Sequence, residues 1–271
     1  MYNVFDCNTQ GELNLKFEMW SIWHILFILS PFIIMPILYF SLKNKSYKTR
    51  YIVGVVIGVI SLAILIIRNV DIYLSHGFDP EIIPLQVCHF GNIMVFISLV
   101  FRSKIATSIL WSLNLLAAFS SLIVADALEG YQTIFCIRAQ AYIWGHLFIV
   151  IGALYSVCLK IVRIDFKSFL WGILVIILLL IPSIILNSYF NDVLGYNINY
   201  FYIYDSRGVP FEFLYIGDRA KYGWFTINWI YTLSLSAIFS VILYGIYNIQ
   251  KLFYLKDKDY KTYNIFQKKN I

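Results

Sequence analysis

Cys88 and His146 are the side chains in this sequence best suited to covalent chemistry. Each lies inside an apolar run, Cys88 in IPLQVCHFGNIM and His146 in AQAYIWGHLFIVIGALY. A thiolate is a nucleophile, and a nearby imidazole can take the thiol proton. His89 follows Cys88 directly, but neighbours on a helix point about 100° apart. His89 is therefore badly placed to activate Cys88, whereas a histidine on another helix can face it. The plainer readings are an inert buried thiol and a hydrogen-bonded packing histidine. Membrane depth weakens the second, because an imidazole in lipid must find a partner.

Other polar groups share the depth of this pair. Arg68 and Asp71 are three residues apart and lie on one helical face. They could form an internal ion pair, or Arg68 could clamp a phosphate or carboxylate. Asp126 and Glu129 close another run; both could be solvated, or Asp126 could orient a histidine. His24 lies near the end of the first run, where snorkelling to the interface would explain it. Asn114 and Asn187 suit interhelical hydrogen bonds. His24, Arg68, Asp71, Cys88, His89, Asp126, Gln140 and His146 come from five runs. Threaded through a bilayer, all eight fall toward one face, and a polar layer at one depth predicts a shared cavity.

The elements that must position them are membrane helices. The chain has 271 residues, 60% hydrophobic and 13% charged, against about 25% charged in soluble domains. One integral membrane domain, residues 1–271, accounts for the length. Spans of about 20 apolar residues are expected near 20–42, 51–75, 84–101, 105–125, 138–159, 168–187 and 224–250. The third is expected to begin at Pro84, and Pro182 to kink the sixth. The fold class is thus all-α, a bundle of seven transmembrane helices. No cleavable signal peptide is expected, because the first residues lack a basic region followed by a short apolar one.

Basic residues set the orientation. Lys43, Lys45, Lys48 and Arg50 separate spans 1 and 2; Arg102 and Lys104 separate spans 3 and 4; Lys160, Arg163 and Lys167 separate spans 5 and 6; and six lysines follow span 7. The opposite side holds only Lys16, Arg138, Arg207, Arg219 and Lys221. Positive-inside bias predicts the N-terminus outside and the C-terminus inside. It also accounts for the net charge of +6 without nucleic acid. No Gly-rich phosphate loop or zinc-type cysteine spacing occurs, so no cofactor and no metal are expected. Cys7 and Cys136 both fall outside, where they could be bridged or free. The Tyr- and Phe-rich connection 188–223 is long enough to be functional and reads as a lid or interfacial segment over the outer face.

Four segments resemble a known family. FEMWSIWHILFIL (17–29), IPLQVCHFGNIM (83–94), AQAYIWGHLFIVIGALY (139–155) and LGYNINYFYI (194–203) are similar, in order, to motifs of the YwaF-type bacterial integral membrane proteins. Their eukaryotic relative is a transmembrane acyltransferase acting on ether phospholipids. The resemblance implies Cys88 as acyl-accepting nucleophile and His146 as base, with His24 and Asn199 supporting. It departs from the pattern at Gln86, where the family places a histidine. It also implies a bacterial plasma-membrane protein with membrane lipids as partners. The expected activity is acyl transfer between phospholipids of the outer leaflet. The rival is a non-enzymatic transporter, scramblase or sensor that binds a small solute or lipid in the same cavity.

Overall fold

A computed structural model describes residues 16–131, 133–205, 215–216 and 219–253. Its helices are α1 (Ile22–Leu42), α2 (Tyr47–His76), α3 (Val87–Val100), α4 (Lys104–Ile109), α5 (Leu115–Ile123), α6 (Ile137–Cys158), α7 (Phe166–Ser188) and α8 (Trp229–Ile249). A π-helical turn, Leu110–Asn114, joins α4 and α5 into one span. Among the described residues, seven spans are long and apolar enough to cross a membrane. Here "upper" denotes the face where α3, α6 and α8 begin.

Two expected boundaries move. The helix around Cys88 starts at Val87, not Pro84. Pro80–Ile82 form a 3-10 turn capped by Asp79, and Ile83 is extended, as the residue before a proline tends to be. Cys88 consequently lies in the first turn of α3. The last span starts at Trp229 rather than 224, because β1 (Ala220–Tyr222) and β2 (Phe225–Ile227) pair as an antiparallel hairpin. Gly223 turns it with φ +66°, a conformation glycine adopts without a Cβ clash. The expected proline position, Pro182, lies inside α7.

Short polar residues cap the helices. Ser21, Ser46, Ser103, Asp165 and Asn228 each accept a hydrogen bond from a first-turn amide, as N-cap residues do. Asp165 also accepts from Ser168 Oγ at 2.8 Å and Lys104 Nζ at 2.9 Å. Burial works to raise its carboxyl, but the Lys104 and Ser168 hydrogen bonds prevail and hold it below the usual range. The carboxylate therefore contributes stability above its unfolded value of about 3.9, and that contribution is lost as pH falls through the lower folded value. Asp165→Ala should cost about 1 kcal/mol at neutral pH. The gap in thermal midpoint between variant and parent should close below that folded value.

The third, fourth and fifth spans form the centre of the bundle and are its most buried, whereas α1, α7 and α8 turn most of their surface outward. The central contact is tight. A Cβ at Gly152 of α6 would stand 2.6 Å from Val95 Cγ1, and one at Gly91 of α3 would stand 2.9 Å from Ile149 Cδ1. Small residues allow this approach, and these two helices carry Cys88 and His146. At the lower face, Tyr155 Oη donates to the Arg50 carbonyl at 2.7 Å, and Arg50 Nη1 donates to the Leu159 carbonyl at 2.9 Å.

The connection after α7 forms an ordered cover over the upper face. Asn187 holds the Tyr200 backbone in both directions, donating at 3.0 Å and accepting at 2.7 Å. Asn191 does the same for Ile198. Tyr200 Oη reaches the Pro80 carbonyl at 2.5 Å, and Tyr231 Oη reaches the Tyr202 carbonyl at 2.9 Å. Phe201 and Tyr202 have φ of +53° and +55°. Side-chain-bearing residues adopt that region at a cost and only where their surroundings impose it. Residues 206–214 and 217–218 of this connection lie outside the described residues.

Candidate functional site

Under the cover lies a cavity of about 940 Å³. Its upper wall carries Arg68, Glu81, Gln86, Cys88, His89, Asp126, Tyr131, Arg138, Tyr142, His146 and Tyr202; lower down it is lined by Ile173, Ile176, Leu180, Leu235, Phe239 and Leu243. The cavity is thus polar at one end and apolar along its length.

Cys88 and His146 come together at the polar end, where both line the cavity and interact electrostatically across the α3–α6 contact. His146 Nδ1 is hydrogen-bonded to the Tyr142 carbonyl at 2.7 Å. A carbonyl can only accept, so Nδ1 carries the proton and Nε2 is the basic nitrogen. The thiol also lies 3.9 Å from Ser121 Oγ. Asn92 Nδ2 donates to the Cys88 carbonyl at 3.1 Å, and its Oδ1 accepts from Ser61 at 2.7 Å. Asn114, aimed by the π turn, donates to the Val87 carbonyl at 2.9 Å. These bonds fix the first turn of α3, and Gln86 adds no side-chain cap to it. Uncapped first-turn amides favour negative charge nearby.

Of the other expected residues, Arg68, Gln86, His89 and Asp126 line the cavity. The imidazole of His89 has a buried Nδ1 with no hydrogen-bond partner. Burial pushes the Tyr202 phenol up to about 12, with Cys88 and Asp126 acting in the same direction. Tyr202 is 41% exposed, and part of that surface is cavity wall. It remains a neutral hydrogen-bond donor.

Several expected roles change. Arg68 and Asp71 are not each other's partners. Arg68 pairs with Glu81 at 2.7 Å, and Asp71 pairs with Arg138 at 3.3 Å. The chain folds back after α2 and brings in carboxylate and guanidinium from elsewhere. Asp126 accepts from its neighbour Ala127, so the Tyr142 carbonyl rather than Asp126 orients His146. Gln140 bridges the Ile134 carbonyl and the Trp144 indole, away from the cavity. Asn199 accepts from the Tyr204 amide at 3.0 Å and shapes the cover.

His24 does not snorkel. It is fully buried, with Nε2 bonded to the Leu122 carbonyl and Nδ1 accepting from the Trp20 amide, both at 2.9 Å. It fastens α1 to the top of α5. His24→Ala would orphan both backbone groups, at about 1–3 kcal/mol each. The thermal midpoint should fall, and activity per folded molecule should not.

Cys136, just above α6, is disulfide-bonded. Cys88 and Cys158 are free thiols. Cys7 lies outside the described residues.

The fold and cavity define a seven-helix multi-pass membrane protein with a cysteine–histidine pair at the polar end of a largely apolar chamber. A family model described as the TMEM164 family matches residues 16–256, and the chain belongs to that family. No curated protein and no solved structure matches it.

Proposed function

We propose that this protein is a membrane-embedded lipid acyltransferase that moves an acyl chain between phospholipids. The observation that carries the reading is the placement of Cys88 against His146 where a polar head region meets an apolar chamber. The resemblance of four segments to the YwaF-type proteins and their acyltransferase relative supports the same chemistry.

In the first half-reaction His146 Nε2 takes the thiol proton, and Cys88 Sγ attacks the ester carbonyl of a donor phospholipid. The ester C–O bond breaks, and the lysophospholipid hydroxyl leaves with the proton from His146. The acyl group remains as a thioester. In the second, an acceptor hydroxyl gives its proton to His146 and attacks the thioester, restoring the thiol. First-turn amides of α3 and the Tyr202 phenol, which also lines the cavity, would stabilise the developing oxyanion. Arg68 would bind the phosphate, displacing Glu81, whose side chain is 50% exposed.

The upper face is read as external, in a bacterial plasma membrane. The basic lower connections favour this orientation, as does the disulfide at Cys136, since disulfides persist in oxidising compartments. Soluble acyl-CoA inside the cell would not reach such a site, so the donor is a lipid of the outer leaflet. Intact-protein mass analysis after incubation with a donor phospholipid, without acceptor, tests the reading. One acyl mass, removable by hydroxylamine and located on Cys88, is expected. No adduct, or an adduct elsewhere, would sink it.

A further inference from the structure

The cavity also reaches the side of the bundle. Helices α7 and α8 both line it, yet they do not pack closely on each other along their length. Below, Phe169 stacks on Tyr247 with ring centroids 4.6 Å apart. Above, α7 is tied to β2, the strand before α8: Ser188 Oγ donates to the Thr226 carbonyl at 2.9 Å and accepts from the Thr226 amide at 3.1 Å. Between these two closures, Ile177 of α7 and Ser240 of α8 line the cavity and are exposed. Along this stretch the chamber is walled by exposed residues of two helices that are not packed closely on each other, at a depth where the surroundings are hydrocarbon.

We propose that this gap between α7 and α8 admits one acyl chain of a bilayer phospholipid sideways into the cavity. The chemistry of the wall fits a chain. The α8 residues facing the chamber run from Tyr231 to Leu243. At about 1.5 Å per residue this stretch covers about 18 Å, a little over half of a hydrocarbon core of about 30 Å. Ile173, Ile176 and Leu180 face it from α7. A chain lying there places its ester end at Cys88 and its headgroup beside Arg68. The inference deepens the acyl-transfer reading by giving the substrate's route, but chain binding itself requires no thiol chemistry.

The test uses the full chain in nanodiscs that contain a phospholipid with a diazirine midway along one acyl chain. After illumination, adducts are mapped by peptide mass analysis. Adducts are expected on inward residues such as Leu235 and Phe239, besides those on outward Leu233 and Val241. Combining Ile177→Trp with Ser240→Trp should lower inward labelling about tenfold, equivalent to about 1.4 kcal/mol, and leave outward labelling unchanged. Leu233→Trp, on the outward face of the same helix, should lower neither. The inference fails if inward adducts are absent, if the double variant keeps them, or if Ser240→Cys yields chain-to-chain cross-links in place of lipid adducts. Cys88→Ala should label as the parent does. Inward labelling in a parent that transfers no acyl group would remove the acyl-transfer reading alone.

Discussion

Alanine at Cys88 should leave a protein that folds, binds lipid and transfers nothing. The side chain is small, and its loss removes only a sulfur beside Ser121 and His146. The thermal midpoint should stay close to the parent's. Transfer, followed as redistribution of a labelled acyl chain between defined phospholipids in purified vesicles, should fall by a factor on the order of 10⁴ or more, as when a covalent nucleophile is lost. Lipid turnover that continues in the variant would remove Cys88 from the mechanism. In the proposed mechanism the first half-reaction needs the thiol, so release of lysophospholipid from the donor should vanish together with net transfer.

Glutamine at His146 should be nearly as damaging for a different reason. Its amide can still donate to the Tyr142 carbonyl, preserving the bond that positions the imidazole, but it has no basic nitrogen. General base catalysis is worth about 10²- to 10⁴-fold, and the rate should fall within that range. The measurement that separates this from a packing defect is the reaction of Cys88 with iodoacetamide. Alkylation at neutral pH should slow in the glutamine variant, while the unfolding profile and lipid binding stay near the parent's. Unchanged alkylation would mean that His146 does not activate the thiol.

The seven spans were legible because lipid imposes a length and a polarity that survive in any sequence. Boundaries failed where turn chemistry overrode hydropathy. Pro84 looked like a helix start, yet Asp79 and Pro80 build a 3-10 turn before it. The aromatic stretch before Trp229 is apolar enough to pass for helix, yet it closes as a hairpin at Gly223. At the site, helix geometry alone separated His89 from His146 as a partner for Cys88. Spacing misled at Arg68 and Asp71, because sharing a face says nothing about the carboxylate or guanidinium another segment will bring. Ser121, Asn92 and Tyr202 gave no local signal; they matter through contacts with α3 and with the cover. Tyr142 did have one: it stands four residues before His146, the spacing at which a helical carbonyl meets a side chain one turn later.

The arrangement of central and peripheral spans bears on how the chain enters its membrane. The most buried spans, the third to fifth, are less apolar than α1, α2 and α7. They carry the asparagines, serines and glycines that seat Cys88 and His146. A helix rich in such groups partitions into lipid less readily by itself. Its insertion then depends on a more apolar neighbour already in place, as α2 would be for α3. Polar substitutions in α2 should therefore lower the amount of membrane-inserted protein before they alter the Cys88–His146 site, and the site would be lost during biosynthesis rather than in the finished molecule.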